Sequence, residues 1–191
     1  VFIDFFRTKN AFIIDMILDE LNRAGYKKAN LTSCEGYVRN TDDSGEEYSL
    51  NLFDRESDVV YNAAKMNYSK AKSIVPLRSY PLSATDSYDF LICTDGRIIT
   101  PYVDITDGIY KTATSDLIAY SESSSCAELL IQALKHYIAD SLNEKTLFSM
   151  ESNGIYSIYF ENNEIRTNDE TIDLSEIYED DSVKYTIKYI K

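Results

Sequence analysis

The segment from Asp95 to Leu134 constrains the fold more than any other part of the chain. Thr94-Asp95-Gly96 is a hairpin-turn signal, and Arg97 to Val103 reads as the returning strand. Asp104-Ile105-Thr106-Asp107-Gly108 follows as an Asp-x-x-x-Gly turn, and Ser115 to Tyr120 as a further strand. Ser125-x-x-Glu128 then has the spacing of a capping box, in which hydroxyl and carboxylate satisfy the first orphan amides of a helix. Leu129, Leu130, Ala133, Leu134 and Tyr137 continue at helical spacing and predict a buried stripe on a helix reaching about Asp140. Such a segment requires antiparallel strands that feed a helix lying back on them.

The remaining patterns agree with that frame. Val1 to Phe6 reads as an apolar strand, and a helix follows with Phe12, Met16, Ile17, Leu21 and Ala24 as its predicted core stripe. Gly25 stands where a left-handed helix-ending residue belongs. Ala29 to Ser33 and Tyr37 to Asn40 are short strands around Cys34-Glu35-Gly36, and Tyr48 to Phe53 alternates as another. Glu56 to Ser73 is ambiguous between a strand and a strand with a short helix. Pro76 and Pro81 predict a loop leading to a strand at Tyr88 to Cys93. Ile155 to Phe160 and Glu164 to Thr167 form a hairpin about Asn162-Asn163. Val183, Tyr185, Ile187 and Tyr189 share one face of a last strand. With no repeat or linker, residues 1–191 read as one α+β domain, an antiparallel-rich mixed sheet with two main helices packed on it.

Charge and composition exclude several function classes. Nineteen Lys and Arg stand against 32 Asp and Glu, a net charge of -13, which repels phosphate backbones and argues against a nucleic-acid partner. No apolar run is long enough to span a bilayer. Three scattered cysteines make no disulfide framework, and the single histidine, His136, leaves no histidine-rich metal site. The chain does not begin with Met, which suggests a processed or excised sequence whose leader or anchor would precede Val1.

Few residues carry a chemical signal. Glu128 and Gln132 lie four apart, so both can reach one cation from a single helix face, although Glu128 serves equally as the acid of the cap. His136 flanks the buried stripe and reads as a boundary residue. Cys34 reads as a buried or half-buried thiol with no neighbouring base to activate it.

Several segments, in order, resemble one family. Ile3-Asp4-Phe5-Phe6-Arg7-Thr8-Lys9-Asn10-Ala11-Phe12-Ile13-Ile14-Asp15 is similar to I-D-L-G-G-I-A-K-G-Y-A-V-D of the ApbE family, the FAD:protein FMN transferases. Leu31 to Arg39 resembles the family's N-L-G-G-D-V-R strand. Pro101 to Gly108 resembles H-I-I-D-P-R-T-G, and Ala127 to Leu134 resembles A-D-A-L-S-T-A-L. The likeness spans the chain and corresponds to the C-terminal two-thirds of the family's fold. It implies an ApbE-like domain of bacterial origin, at the cell envelope, acting on a protein target.

Members of that family cleave FAD at its pyrophosphate and attach FMN to a threonine, with Mg²⁺ neutralising the phosphates. The resemblance places cofactor contacts at Asp15, Gly36, Asp104 and Gly108, and metal ligands at Glu128 and Gln132. It also exposes departures. The first Gly-Gly pair is Phe6-Arg7, the Lys-Gly pair is Asn10-Ala11, the second Gly-Gly pair is Glu35-Gly36, and the loop histidine is Pro101. A divergent homologue with weak or lost FMN transfer is therefore expected. The alternatives are a Mg²⁺-dependent transferase with a rebuilt site, and an interaction module that uses the old cleft.

Overall fold

The computed structural model describes residues 6–56, 58–82 and 90–191, with side chains from Thr8 onward. The expected strand at Val1 to Phe6 lies outside these residues apart from Phe6, which opens helix α1 (Phe6–Arg23). That helix ends in a Schellman motif. Gly25 has φ +92°, Tyr26 N–H donates to the Leu21 carbonyl at 3.0 Å, and Gly25 N–H donates to Asn22 at 3.1 Å.

Strands β1 (Asn30–Thr32) and β2 (Val38–Asn40) form the first hairpin. Next come β3 (Tyr48–Glu56) and β4 (Val59–Tyr68), paired over their whole length with a register shift at Leu52/Phe53. The ambiguous stretch from Glu56 to Ser73 is thus strand, with β5 (Lys72–Arg78) beginning before its end. Pro76 stands inside β5 rather than opening a loop. Pairing with β2 stops at Ile74, so at Pro76 one flank of β5 has no ladder bond to supply.

The small hairpin β6 (Leu91–Ile92) and β7 (Ile98–Ile99) closes through Asp95-Gly96. Residues 88 and 89 of the strand expected there fall outside the described ones. Then follow β8 (Asp116–Ser121), α2 (Cys126–Tyr137), α3 (Glu144–Met150), the hairpin β9 (Tyr156–Glu161) and β10 (Glu164–Thr167), β11 (Asp173–Ser175) and β12 (Thr186–Tyr189). Helix α3 and strand β11 are short and had no periodic signal of their own. Asn162 and Asn163 both take positive φ, as a two-residue hairpin turn demands.

The main sheet has the order β1-β2-β5-β8-β9-β10-β12, antiparallel except for the β10–β12 pair. Strand β8 is buried throughout and shows how the layers form. Leu117 and Ala119 point into a core with helices α1, α2 and α3, while Ile118 and Tyr120 point into a second core under the β11-β4-β3 sheet. A helical layer and a small sheet therefore cover opposite faces of the seven strands. The fold is α+β with mostly antiparallel pairing.

On α2 the expected stripe is buried at Leu129, Leu130, Ala133 and Tyr137, with Leu134 partly buried against the same core. On α1 the expected stripe holds at Leu21, which packs against the core, and fails at Phe12, Met16, Ile17 and Ala24. Ala11, Ile14 and Leu18 are buried, whereas Phe12, Ile13, Met16 and Ile17 are 57, 42, 53 and 45% exposed. Apolar residues occur on both sides of this helix, and the small Ala11 lets it approach α2 closely.

Leu18→Ala should therefore cost about 2–5 kcal/mol, the range for emptying a buried leucine site. Phe12→Ala should change stability by no more than about 0.5 kcal/mol. Urea unfolding of the two variants measures both, and equal losses would mean that the opposite face carries the core.

Candidate functional site

Asp15 occupies the junction of three elements. It is buried on α1, and its two carboxylate oxygens accept the N–H groups of Cys126 at 3.0 Å and Ala127 at 2.9 Å, the first residues of α2. The same carboxylate receives Arg39 of β2 at 2.6 Å. A full negative charge thus meets the positive end of the helix dipole and a guanidinium, so every oxygen lone pair of Asp15 facing the core has work. Its place is one of tying α1, α2 and β2 together.

The start of α2 carries its own cap as well. Ser125 Oγ accepts the Glu128 N–H at 3.2 Å, and Glu128 Oε2 accepts the Ser125 N–H at 2.9 Å. Gln132 Oε1 accepts from Lys135 Nζ at 3.1 Å. Both residues are exposed. The neighbouring Cys126 thiol donates to the Val38 carbonyl at 3.2 Å, and burial, with the charge of Asp15, pushes its pKa up to about 12. That thiol is a packing group and not a nucleophile.

A second meeting point joins two segments that carry the family resemblance. The Asn10 amide donates to the Glu35 carboxylate, which ties α1 to the β1–β2 turn. Burial opposes ionisation of Glu35, but hydrogen bonds from Ser33, its own backbone and Asn10 outweigh it and hold the carboxyl below its ordinary range. Cys34 beside it is exposed, contrary to expectation. Burial of the sulfur and its bond to Glu35 raise that thiol's pKa, so it too is unactivated. Gly36 has φ +88°, and a Cβ there would stand 3.1 Å from Arg78 and 3.2 Å from Pro76. Only glycine lets the turn sit this close to β5.

Asp104 and Gly108 form a third place. Gly108 N–H donates to the Asp104 carbonyl at 2.7 Å, and Asp104 Oδ1 accepts from the Thr106 amide and hydroxyl at 2.8 and 2.7 Å. Lys111 Nζ sits between Asp104, Asp107 and Asp140 at 2.9, 2.6 and 3.0 Å. The hydroxyl and amide of Thr106 lead in lowering the pKa of Asp104 to about 2, with Lys111 adding to the effect. The three carboxylates in turn raise Lys111 above its ordinary value.

This loop rests on the far end of α2. The Tyr102 and Tyr137 rings meet edge to face at 4.9 Å, and Ala113 N–H donates to the Tyr137 carbonyl at 2.7 Å. Glu128 is at the other end, about 13 Å away along the axis. The residues expected at the site thus fall into separate groups. Asp15 joins the α2 N-terminus, Asn10 joins Glu35 and Gly36, and Asp104 with Gly108 joins Lys111. Glu128 and Gln132 bond locally on α2.

The donor set of α2 does not suit Mg²⁺ as arranged. One oxygen of Glu128 is committed to the cap, and Gln132 is engaged by a cation. Among the described residues no group of three or more His, Cys, Asp or Glu is placed to hold a metal ion. Sequence reasoning missed the buried polar cluster of Asp54, Tyr80 and Asp116. Its one visible signal was a charged residue, Asp116, opening the apolar run Leu117-Ile118-Ala119-Tyr120.

Comparison with solved structures gives this geometry a context. The chain is similar to the crystal structure of the ApbE protein of Thermotoga maritima, with a TM-score of 0.63 at 13% identity. The fold is ApbE-like. The match covers 91% of this chain and 51% of the other, so the chain spans about half the length of that ApbE protein. No protein-family model and no curated protein sequence matches it. The likeness therefore lies in the arrangement of strands and helices. Among the described residues no helix is long and apolar enough to cross a membrane.

Two outcomes test these assignments. Asp15→Ala strands two helix amides and Arg39, and should lower stability by roughly 3 kcal/mol, with Asp15→Asn losing less because an acceptor oxygen survives. Urea unfolding reads both, and an unchanged midpoint would remove the clamp. Asp104 has a folded pKa of about 2 against an ordinary 3.8, so its contribution is present above pH 4 and lost as pH falls toward 2. Asp104→Asn should lower stability above pH 4 and converge with the parent as pH falls toward 2, and an equal loss at pH 2 would contradict the pairing.

Proposed function

We propose that this chain is a divergent ApbE-like domain in which FAD-dependent FMN transfer is weak or lost. The observation that carries the reading is the bond between Asn10 and Glu35. In the resembled family these positions are a lysine and a glycine. Here a cation is replaced by an amide, and a hydrogen by a carboxylate held in its charged form. A pyrophosphate approaching this turn would meet negative charge where the resemblance implies positive charge and open backbone. Each lost or reversed contact removes about 1–3 kcal/mol of binding, and every 1.4 kcal/mol is about a factor of ten in affinity.

The commitment of Glu128 to the cap supports the same reading. A carboxylate cannot both accept the Ser125 amide with one oxygen and present an octahedral ligand set to Mg²⁺ without giving up part of one role. Asp104 supports it from a different direction, because its nearest cation is Lys111.

The test is incubation with FAD, Mg²⁺ and a threonine-containing peptide, followed by mass spectrometry of the peptide. No FMN adduct is expected, and FAD with Mg²⁺ should leave the melting temperature unchanged. The pair Asn10→Lys with Glu35→Gly should strengthen FAD binding relative to the parent chain. An adduct formed by the parent and lost in Glu128→Gln would overturn the proposal in favour of a rebuilt, working transferase.

A further inference from the structure

The small sheet leaves one long strand edge unmatched. Among the described residues β3 pairs only with β4, although it runs for nine residues. In an antiparallel ladder only every second residue turns its N–H and C=O toward a given neighbour. The alternate backbone groups of β3 therefore face away from β4, which is how an edge strand offers itself to another chain.

A cleft of about 480 Å³ lies along that edge, and Ser49, Leu50, Asn51 and Phe53 all border it. Successive side chains of a strand point to opposite faces. A space that touches Ser49, Leu50 and Asn51 in turn must then run beside the strand and not over one face. Its floor is the main sheet, through Val38 of β2, Pro76 of β5 and Ile118 of β8. Val38 and Ile118 belong to the core under the small sheet, so a strand laid beside β3 would continue that sheet over the same core. Pro76 has no N–H to give, which leaves β3 as the edge that such a strand would pair with.

Charge indicates what kind of segment fits. Glu46 and Glu47 precede β3 and Glu56 ends it, all three exposed, on a chain that carries -13. The nearby cations Arg55 and Lys65 are already matched by Asp58 and Glu176. The field around the edge favours a cationic neighbour.

We propose that the edge of β3 is a docking site for an extended, basic segment of a partner protein, which adds a fourth strand to the small sheet. Ser49 to Phe53 sets its length at about five residues, each advancing about 3.4 Å. Its main chain pairs with the outward groups of β3, and alternate β-branched residues face Val38, Pro76 and Ile118. Lysines or arginines flank it, near Glu46, Glu47 and Glu56. In strand addition of this kind the backbone supplies affinity and the alternate side chains supply selectivity. The inference holds whether or not FMN transfer is lost, because it uses the backbone of β3.

Amide-resolved NMR of the whole chain tests the proposal, with acetyl-Lys-Lys-Val-Thr-Val-Thr-Val-Lys-Lys-amide as the probe. Saturable shifts are expected along β3 and the floor of the cleft. Hydrogen exchange of every second amide between Ser49 and Phe53 should slow by about tenfold or more when the peptide is bound. Two further peptides are N-methylated, one on its valines and the other on its threonines. Only one of these sets faces β3, so one peptide should lose binding and the other keep it. Replacing the four lysines by glutamates should weaken binding by roughly tenfold or more. The proposal is overturned by no saturable shift, by the same affinity for both methylated peptides, or by equal binding of the glutamate peptide. It is also overturned if those amides of β3 are already protected in the free chain, whether by a second copy, seen as a dimer in sedimentation, or by another part of the same chain.

Discussion

The carboxylate of Asp15 is the interaction on which the rest of this architecture depends. Helix α1 precedes the sheet in the chain, and α2 follows the strand at its centre. Nothing local in sequence makes them neighbours. Asp15 joins them by accepting the first two amides of α2 while holding Arg39 on β2. A helix end brings several unpaired N–H groups, which are costly to bury without acceptors. Here one charged side chain from another helix supplies what a purely local cap would leave undone. The packing of Ala11, Ile14 and Leu18 against Leu129, Leu130 and Ala133 follows from that placement.

Most of the fold was legible where the signal was local. The cap and stripe of α2, the helix stop at Gly25, and the Asn162-Asn163 hairpin each rest on chemistry within a few residues. The failures share a cause. Helix α1 is apolar on two faces, so periodicity could not choose between Leu18 and Phe12, and tertiary contact with α2 made the choice. Pro76 reads as a strand breaker in isolation and is tolerated because β2 ends short of it. Asp15 was visible as a position of the resembled motif, but its partners lie more than a hundred residues away at α2. The buried pair of Tyr80 and Asp116 joins the segment after β5 to β8, and no local spacing rule connects them.

The acidic character of the chain is distributed with some economy. Many carboxylates are exposed, but a few are drawn inward and each is handled differently. Asp15 bonds to Arg39 and to helix amides. Asp169 accepts the Tyr120 hydroxyl at 2.7 Å and turns back onto Thr171. Asp54 accepts from Tyr185 at 2.9 Å, and burial raises its pKa despite that bond. Asp116 is buried beside Tyr80, whose hydroxyl is its nearest polar neighbour in the electrostatics of the site. A buried acid is tolerable when paired, hydrogen-bonded or neutral. Burial raises the Asp116 carboxyl well above its ordinary range, and its hydrogen bond with Tyr80 opposes that rise.

A similar contrast separates the residues that hold the ApbE-like frame from those at the resembled motif positions. Residues that hold the frame, such as Asp15, make bonds whose loss would separate whole elements. Residues at the resembled motif's phosphate-facing positions, such as Asn10 and Glu35, now bond to each other, so the altered pair is itself satisfied and stabilising.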